Sequence, residues 1–237
     1  MTRLSSPAEL AIEAQPDTTT CGPTCLHAVY RHFGDDIELT SVIDEIQRLD
    51  DGGTLDVFLA NHALARSYDT TIHTWNLEVF DPSWFSGPEV DLSECLRAQE
   101  QAKQREKLSI ATTGYLEFLA AGGRLRFDDL NRRLLRNLLA ENHPVLTGLS
   151  ATYLYRSKRE WGPDDEDDDI RGDPVGHFVV LTGYERATRM ITIADPMHPN
   201  PQGSQVYAVH VDRVIAAILL GALTYDANLL VIRPCAS

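Results

Sequence analysis

From Pro144 onward the chain is a series of short apolar runs between turns: PVLTGLS, HFVVLTGY, MITIADP and QVYAVHV, then a helix-like stretch near Val214 and a final NLLVI. The runs are rich in β-branched and aromatic residues, which predicts strands of an antiparallel sheet with its inner face buried. Ahead of Pro144 the texture is helical. Leu26, Val29, Tyr30 and Phe33 fall at helical spacing after Cys21, and Gly34 supplies a stop. Thr40 and Ser41 are cap signals for a second helix. Leu55, Phe58, Leu59 and His62 mark a third, and TTIHTW reads as a short strand. Residues 92–107 predict a solvated outer helix, and TTGYLEFLAAGG and FDDLNRRLLRNLLAENH continue the helical pattern.

The expectation is one α+β domain over residues 1–237, with a helical lobe over about 15–140 and a sheet lobe over about 144–234. A composition of 43% hydrophobic and 24% charged residues supports folding through most of that length. A formal charge of -14 repels phosphate backbones and anionic membranes, which argues against nucleic acid as a partner. The opening MTRLSSPAELAIEAQ has no apolar signal core, and the apolar stretch near the end is interrupted by Asp226 and Asn228. No export and no membrane span are expected, so the compartment is read as reducing and cytoplasmic. The four cysteines, Cys21, Cys25, Cys95 and Cys235, are then free thiols, and their spacing does not suit a structural zinc site. No cofactor is expected.

A cleft between a helical lobe and a sheet lobe brings a helix N-terminus against strand residues. Cys21 stands at such a helix start, where the macrodipole and unpaired N–H groups favour thiolate over thiol. His177 opens the run HFVVLTGY, behind a glycine that leaves room for close approach, and Asp195 follows the next run. If those two strands are antiparallel neighbours, His177 and Asp195 meet at one edge of the sheet. Histidine can then draw the thiol proton while the carboxylate fixes its tautomer and orientation. Gln15 lies just upstream, where its amide can join the Cys21 backbone N–H in holding an oxyanion.

These motifs resemble the signature of the C39 and C39-like cysteine peptidases: Gln15, five residues, Cys21-Gly22, then GHFVVLTGY and ADP in that order. The resemblance spans residue 15 to about 200, its specific part being the three motifs. It implies a papain-like fold and the free-standing, soluble form without a transporter domain. It implies Cys21 as nucleophile, His177 as general base, Asp195 as the residue that orients the histidine, and Gln15 as oxyanion donor. The expected activity is cleavage of a peptide or amide bond in a peptide or protein substrate. A silent peptide-binding module, or an acyl transferase or deamidase using the same residues, are the alternatives.

Cys25, one helical turn after Cys21, reads as packing, and Cys95 and Cys235 as inert. The histidines other than His177 read as surface or packing groups, with His198 the one nearest in sequence to Asp195. Trp75, Trp84 and Trp161 read as core or cleft-wall aromatics. The acidic run DDEDDD at 164–169 reads as a solvated loop, and its alternative is a flap over the cleft that attracts basic peptides or amines.

Overall fold

The computed structural model of the chain describes residues 10–49, 52–87, 90–140 and 143–235. The N-terminal stretch read above as lacking an export signal lies outside these residues up to position 9, as does the Glu141–Asn142 part of the sixth expected helix. Three helices lead the chain: α1 (Cys21–His32), α2 (Leu39–Glu45) and α3 (Asp56–Ala65). Strand β1 (Tyr68–Thr74) follows, and then α4 (Leu92–Lys103) and α5 (Glu106–Ala120). The sequence reading ran α4 through residue 107. Gln104 instead takes a left-handed conformation (φ 48°) that ends the helix, and α5 starts a new direction.

Next come β2 (Arg124–Arg126), α6 (Arg132–Leu138), β3 (Val145–Ser150) and α7 (Ala151–Tyr155). A short hairpin of β4 (Glu160–Trp161) and β5 (Glu166–Asp167) precedes β6 (Gly176–Glu185), β7 (Met190–Ala194) and β8 (Val206–His210). Helix α8 (Val211–Leu220) and β9 (Asn228–Pro234) close the chain. Helix α6 is shorter than the leucine stripe suggested. Asn131 caps it by accepting from Arg133 N and Leu134 N, so the helix begins at Arg132, five residues after Phe127.

The large sheet has seven strands in the order β2-β1-β9-β3-β6-β7-β8. All neighbours are antiparallel except β1 and β2, which are parallel. Two of its strands come from the helical front of the chain. The last strand, β9, inserts between β1 and β3 and joins the early and late parts into one sheet.

Both faces of this sheet are buried, whereas a single inner face was expected. Phe178, Val180, Leu230 and Ile232 pack with α1, α3 and α5, while Val179, Leu181, Leu229 and Val231 pack with residues of α6 and α8. Alternate side chains of a strand point to opposite faces. A strand covered on both sides is therefore apolar at successive positions, which is why Phe178 to Leu181 form an unbroken run. Among the described residues no helix is long and apolar enough to cross a membrane.

Candidate active site

The first turn of α1 lies directly on the start of β6. Gly22 is required there: a Cβ would stand 2.8 Å from Thr54 Cγ2 and 3.2 Å from a ring carbon of Phe178. One turn on, the Cys25 thiol donates to the Phe178 carbonyl at 3.3 Å. Cys21 is partly exposed, and the first turn of α1 holds no acidic side chain to offset the positive end of its dipole. The loop before it is folded on itself. Asp17 accepts from Thr19 N and Thr19 Oγ1, both at 2.8 Å, and the Thr20 hydroxyl donates to Asp17 O rather than capping the helix.

His177 is buried at the second position of β6, and its Nε2 is 2.9 Å from Asp195 Oδ1. With Nε2 turned to the carboxylate, Nδ1 is the ring nitrogen left to serve Cys21, which lines the same cleft. Burial alone would push the imidazole pKa down, but the hydrogen bond to Asp195 and the proximity of Cys21 raise it to about 10. Gly176 lets β6 approach the chain just before β9: a Cβ at 176 would run into the Asp226 carboxylate and stand 2.7 Å from Thr224 Oγ1.

Asp195 is fully buried just past the end of β7. Its Oδ1 takes the His177 contact and the Met197 N–H at 3.0 Å. Its Oδ2 accepts from Tyr155 Oη at 2.7 Å and from Tyr207 Oη at 2.6 Å. Burial would raise the carboxyl pKa, and it is His177 and the two tyrosine hydroxyls that bring it down to about 2. Burial, followed by the Asp195 charge, pushes both phenols far above their ordinary value, so they stay protonated donors.

Gln15 is sewn to the same corner. Its backbone N–H donates to Pro196 O at 2.9 Å, and Gln205 Nε2 donates to Glu13 O at 3.2 Å and to Asp195 O at 3.3 Å. The Gln15 side-chain amide donates to Asp17 O at 2.7 Å, which uses one of its two N–H bonds. Gln15, Cys21 and His177 line one cleft of about 1050 Å³, with Asp195 behind the histidine. Met197 and His198 also line it, so His198 does lie in the cleft.

The acidic run covers the end of the β4–β5 turn, β5 and the two residues after it. Glu160, Pro163 and Asp165 reach the cleft. Burial and then the Asp165 and Asp167 carboxylates raise the Glu160 pKa. Asp168 points elsewhere, to Arg171 Nε at 2.5 Å and the backbone N–H groups of Ile170 and Arg171.

Cys25 is fully buried, and burial pushes its thiol well up, in keeping with a packing role. His62 bridges Tyr30 Oη at 2.8 Å and Glu45 at 3.1 Å, His73 pairs with Asp128 at 3.0 Å, and His210 caps α8. Trp75 is buried and donates to Asp128 O, Trp84 packs against the front core, and Trp161 lies exposed under the Arg171 guanidinium.

Tyr155 and Tyr207 are the site residues that sequence reasoning missed. A buried carboxylate demands donors for both oxygens. That demand was legible in Asp195, but its donors lie 40 and 12 residues away, on the last position of α7 and on β8.

Residues 127–214 match the model of the Peptidase_C39 like family, a segment that holds His177, Asp195 and both tyrosines. No curated protein matches the sequence. Among solved structures the chain is similar to a C39-like peptidase from Bacillus anthracis, at 12% identity and a TM-score of 0.52, covering 97% of this chain and 96% of that one. It is also similar to the peptidase domain of Streptococcus ComA, a bifunctional ABC transporter involved in quorum sensing, at 12% identity, TM-score 0.45 and coverage of 95% and 99%. A third is a double-glycine-motif protease from an AMS/PCAT transporter, in complex with the leader peptide, at 10% identity, TM-score 0.47 and coverage of 98% and 96%. At such identities the likeness is one of fold, and the Bacillus anthracis structure carries it. The resemblance to the C39-like peptidases is thus shown, in sequence over residues 127–214 and in the papain-like fold of the chain.

Proposed function

We propose that this protein is a cysteine hydrolase that cleaves a peptide or amide bond through an acyl-enzyme on Cys21. Family and fold support a peptidase-like function. The observation that carries the reading is the His177 imidazole held between Cys21 and the buried Asp195 at the wall of an open cleft.

His177 Nδ1 takes the thiol proton, and the sulfur attacks the substrate carbonyl carbon. The resulting oxyanion is held by the Cys21 backbone N–H and the free N–H of the Gln15 amide. The imidazolium returns the proton to the leaving amine as the carbon–nitrogen bond breaks, which leaves a thioester. Water then attacks that thioester with His177 as base, and the acid is released as Cys21 regains its proton. Asp195 remains ionised throughout and keeps the imidazole in the tautomer that this sequence requires. With four free thiols the chain suits a reducing compartment such as the cytoplasm.

The test is terminal-labelling proteomics on lysate treated with the protein or with Cys21→Ala. New termini should appear with the parent protein alone. Equal sets of termini from both would remove the assignment of Cys21.

A further inference from the structure

Asp195 can act as a fixed charge only if its carboxylate is held in place. A carboxylate on a single Cβ–Cγ bond rotates freely unless both oxygens are held. Here Oδ1 accepts from the His177 ring and the Met197 N–H, and Oδ2 accepts from Tyr155 and Tyr207, so all four lone-pair directions are occupied.

The two tyrosines reach that oxygen from separate elements, α7 and β8, and pack against one core cluster. Tyr155 ends α7 immediately before Arg156, whose left-handed conformation (φ 58°) stops the helix there. Its ring centroid lies 6.1 Å from that of His177, so it also walls the imidazole. Tyr207 comes from β8, whose partner β7 delivers Asp195: the pairing Ala194 with Val206 sets the tyrosine one residue beyond. Donors on two separate elements define a direction as well as a distance.

We propose that Tyr155 and Tyr207 are positioning residues that clamp Asp195 in its ionised form and thereby set the acid limit of the Cys21–His177 pair. Hydrogen bonds to a charged carboxylate favour that form over the neutral acid. While Asp195 is ionised it supports a protonated His177, and a protonated His177 supports the thiolate. When Asp195 takes up a proton that support is lost. Removing one hydroxyl should therefore move the acid limit of thiolate reactivity upward. A hydrogen bond to a charged group is strong enough for a shift of about one pH unit.

The inference rests on the nucleophile assignment of Cys21, and a substrate-free readout separates the two. Alkylation of Cys21 by iodoacetamide, followed by peptide mass analysis from about pH 2 to pH 9, needs no known substrate. Wild type should show a reactive plateau that ends in an acid limb. In Tyr155→Phe and Tyr207→Phe, which keep the rings and lose only the oxygens, that limb should rise by about one unit each, with reactivity at its foot down about tenfold. Placing 3-fluorotyrosine at 207, a stronger donor of nearly the same size, should move the limb the opposite way, and it decides the matter if a Phe variant fails to fold. A merely structural role would lower thermal stability and leave the limb in place. An unmoved limb in folded variants overturns the clamp alone. A wild-type Cys21 that alkylates as an ordinary thiol overturns the nucleophile reading and the clamp with it.

Discussion

Replacing Asp195 with asparagine separates the charge of the carboxylate from its shape. The folded carboxyl is depressed to about 2 from a reference of 3.8, so the unfolded state binds more protons over the interval between them. The stability this confers is fully present above the unfolded value and is lost as pH falls through the folded one. At 1.36 kcal/mol per unit it amounts to about 2 kcal/mol at neutral pH. Asparagine cannot titrate, so the gap between wild type and Asp195→Asn should close by about that amount on acidification. Urea unfolding followed by tryptophan fluorescence, at intervals from about pH 6 downward, measures it. The geometry also predicts a properly folded variant. The amide oxygen can keep the His177 and Met197 contacts, and the amide N–H groups can donate to tyrosine oxygens that accept as readily as they donate. Asp195→Ala has no such recourse. It strands the His177 and Met197 N–H groups and the Tyr155 and Tyr207 hydroxyls, at about 1 to 3 kcal/mol for each that stays buried. Parallel pH dependence of wild type and Asp195→Asn would refute the idea that the carboxylate is held ionised.

On the alkaline side the sign reverses. The His177 pKa is raised to about 10, so its contribution is complete below its unfolded value and fades as pH rises through about 10, a fall that Cys21→Ala should flatten when measured by the same titration. Gln15→Ala should lower kcat by about 10²- to 10³-fold with little change in KM, since an oxyanion donor acts in the transition state; an effect confined to KM would assign the amide to substrate binding. Gly176→Ala should cost about 1 to 3 kcal/mol, because the new methyl meets the Asp226 carboxylate and Thr224, and an unchanged urea midpoint would show that the chain before β9 yields freely. Neutralising Asp164, Asp165, Glu166 and Asp167 should lower the on-rate for a cationic peptide at low salt, whereas an on-rate equal to wild type at every ionic strength would make the hairpin a bystander.

The sequence patterns that proved reliable were those in which burial imposes a period. The runs holding Val145, Phe178, Ile191 and Val209 are all strands, and α1 begins at Cys21 itself. Gln15, Cys21, His177 and Asp195 stand out in the sequence by residue type and order, and the fold brings the first three to one cleft with Asp195 behind His177. Less legible were features set by distant partners. The three residues of β2 have no apolar period, and they form a strand only because β1 offers an edge. The break between α4 and α5 depends on a left-handed Gln104, a conformation that a residue without glycine's freedom rarely announces. Burial of the second sheet face could not be read from Phe178 to Leu181 either, since an unbroken apolar run is compatible with several kinds of covering.

The link between the two halves of the site runs through backbone as well as side chains. The hydrogen bond from Gln15 N to Pro196 O joins the residue assigned to the oxyanion to the one that follows Asp195, and Gln205 bridges Glu13 and Asp195 beside it. Gln15 and the Asp195 carboxylate are therefore positioned against each other, while Gly22 and Cys25 position the helix that starts at Cys21 against Phe178, the neighbour of His177. Each of the two contacts spans more than 150 residues of sequence, yet both converge within one residue of His177 or Asp195.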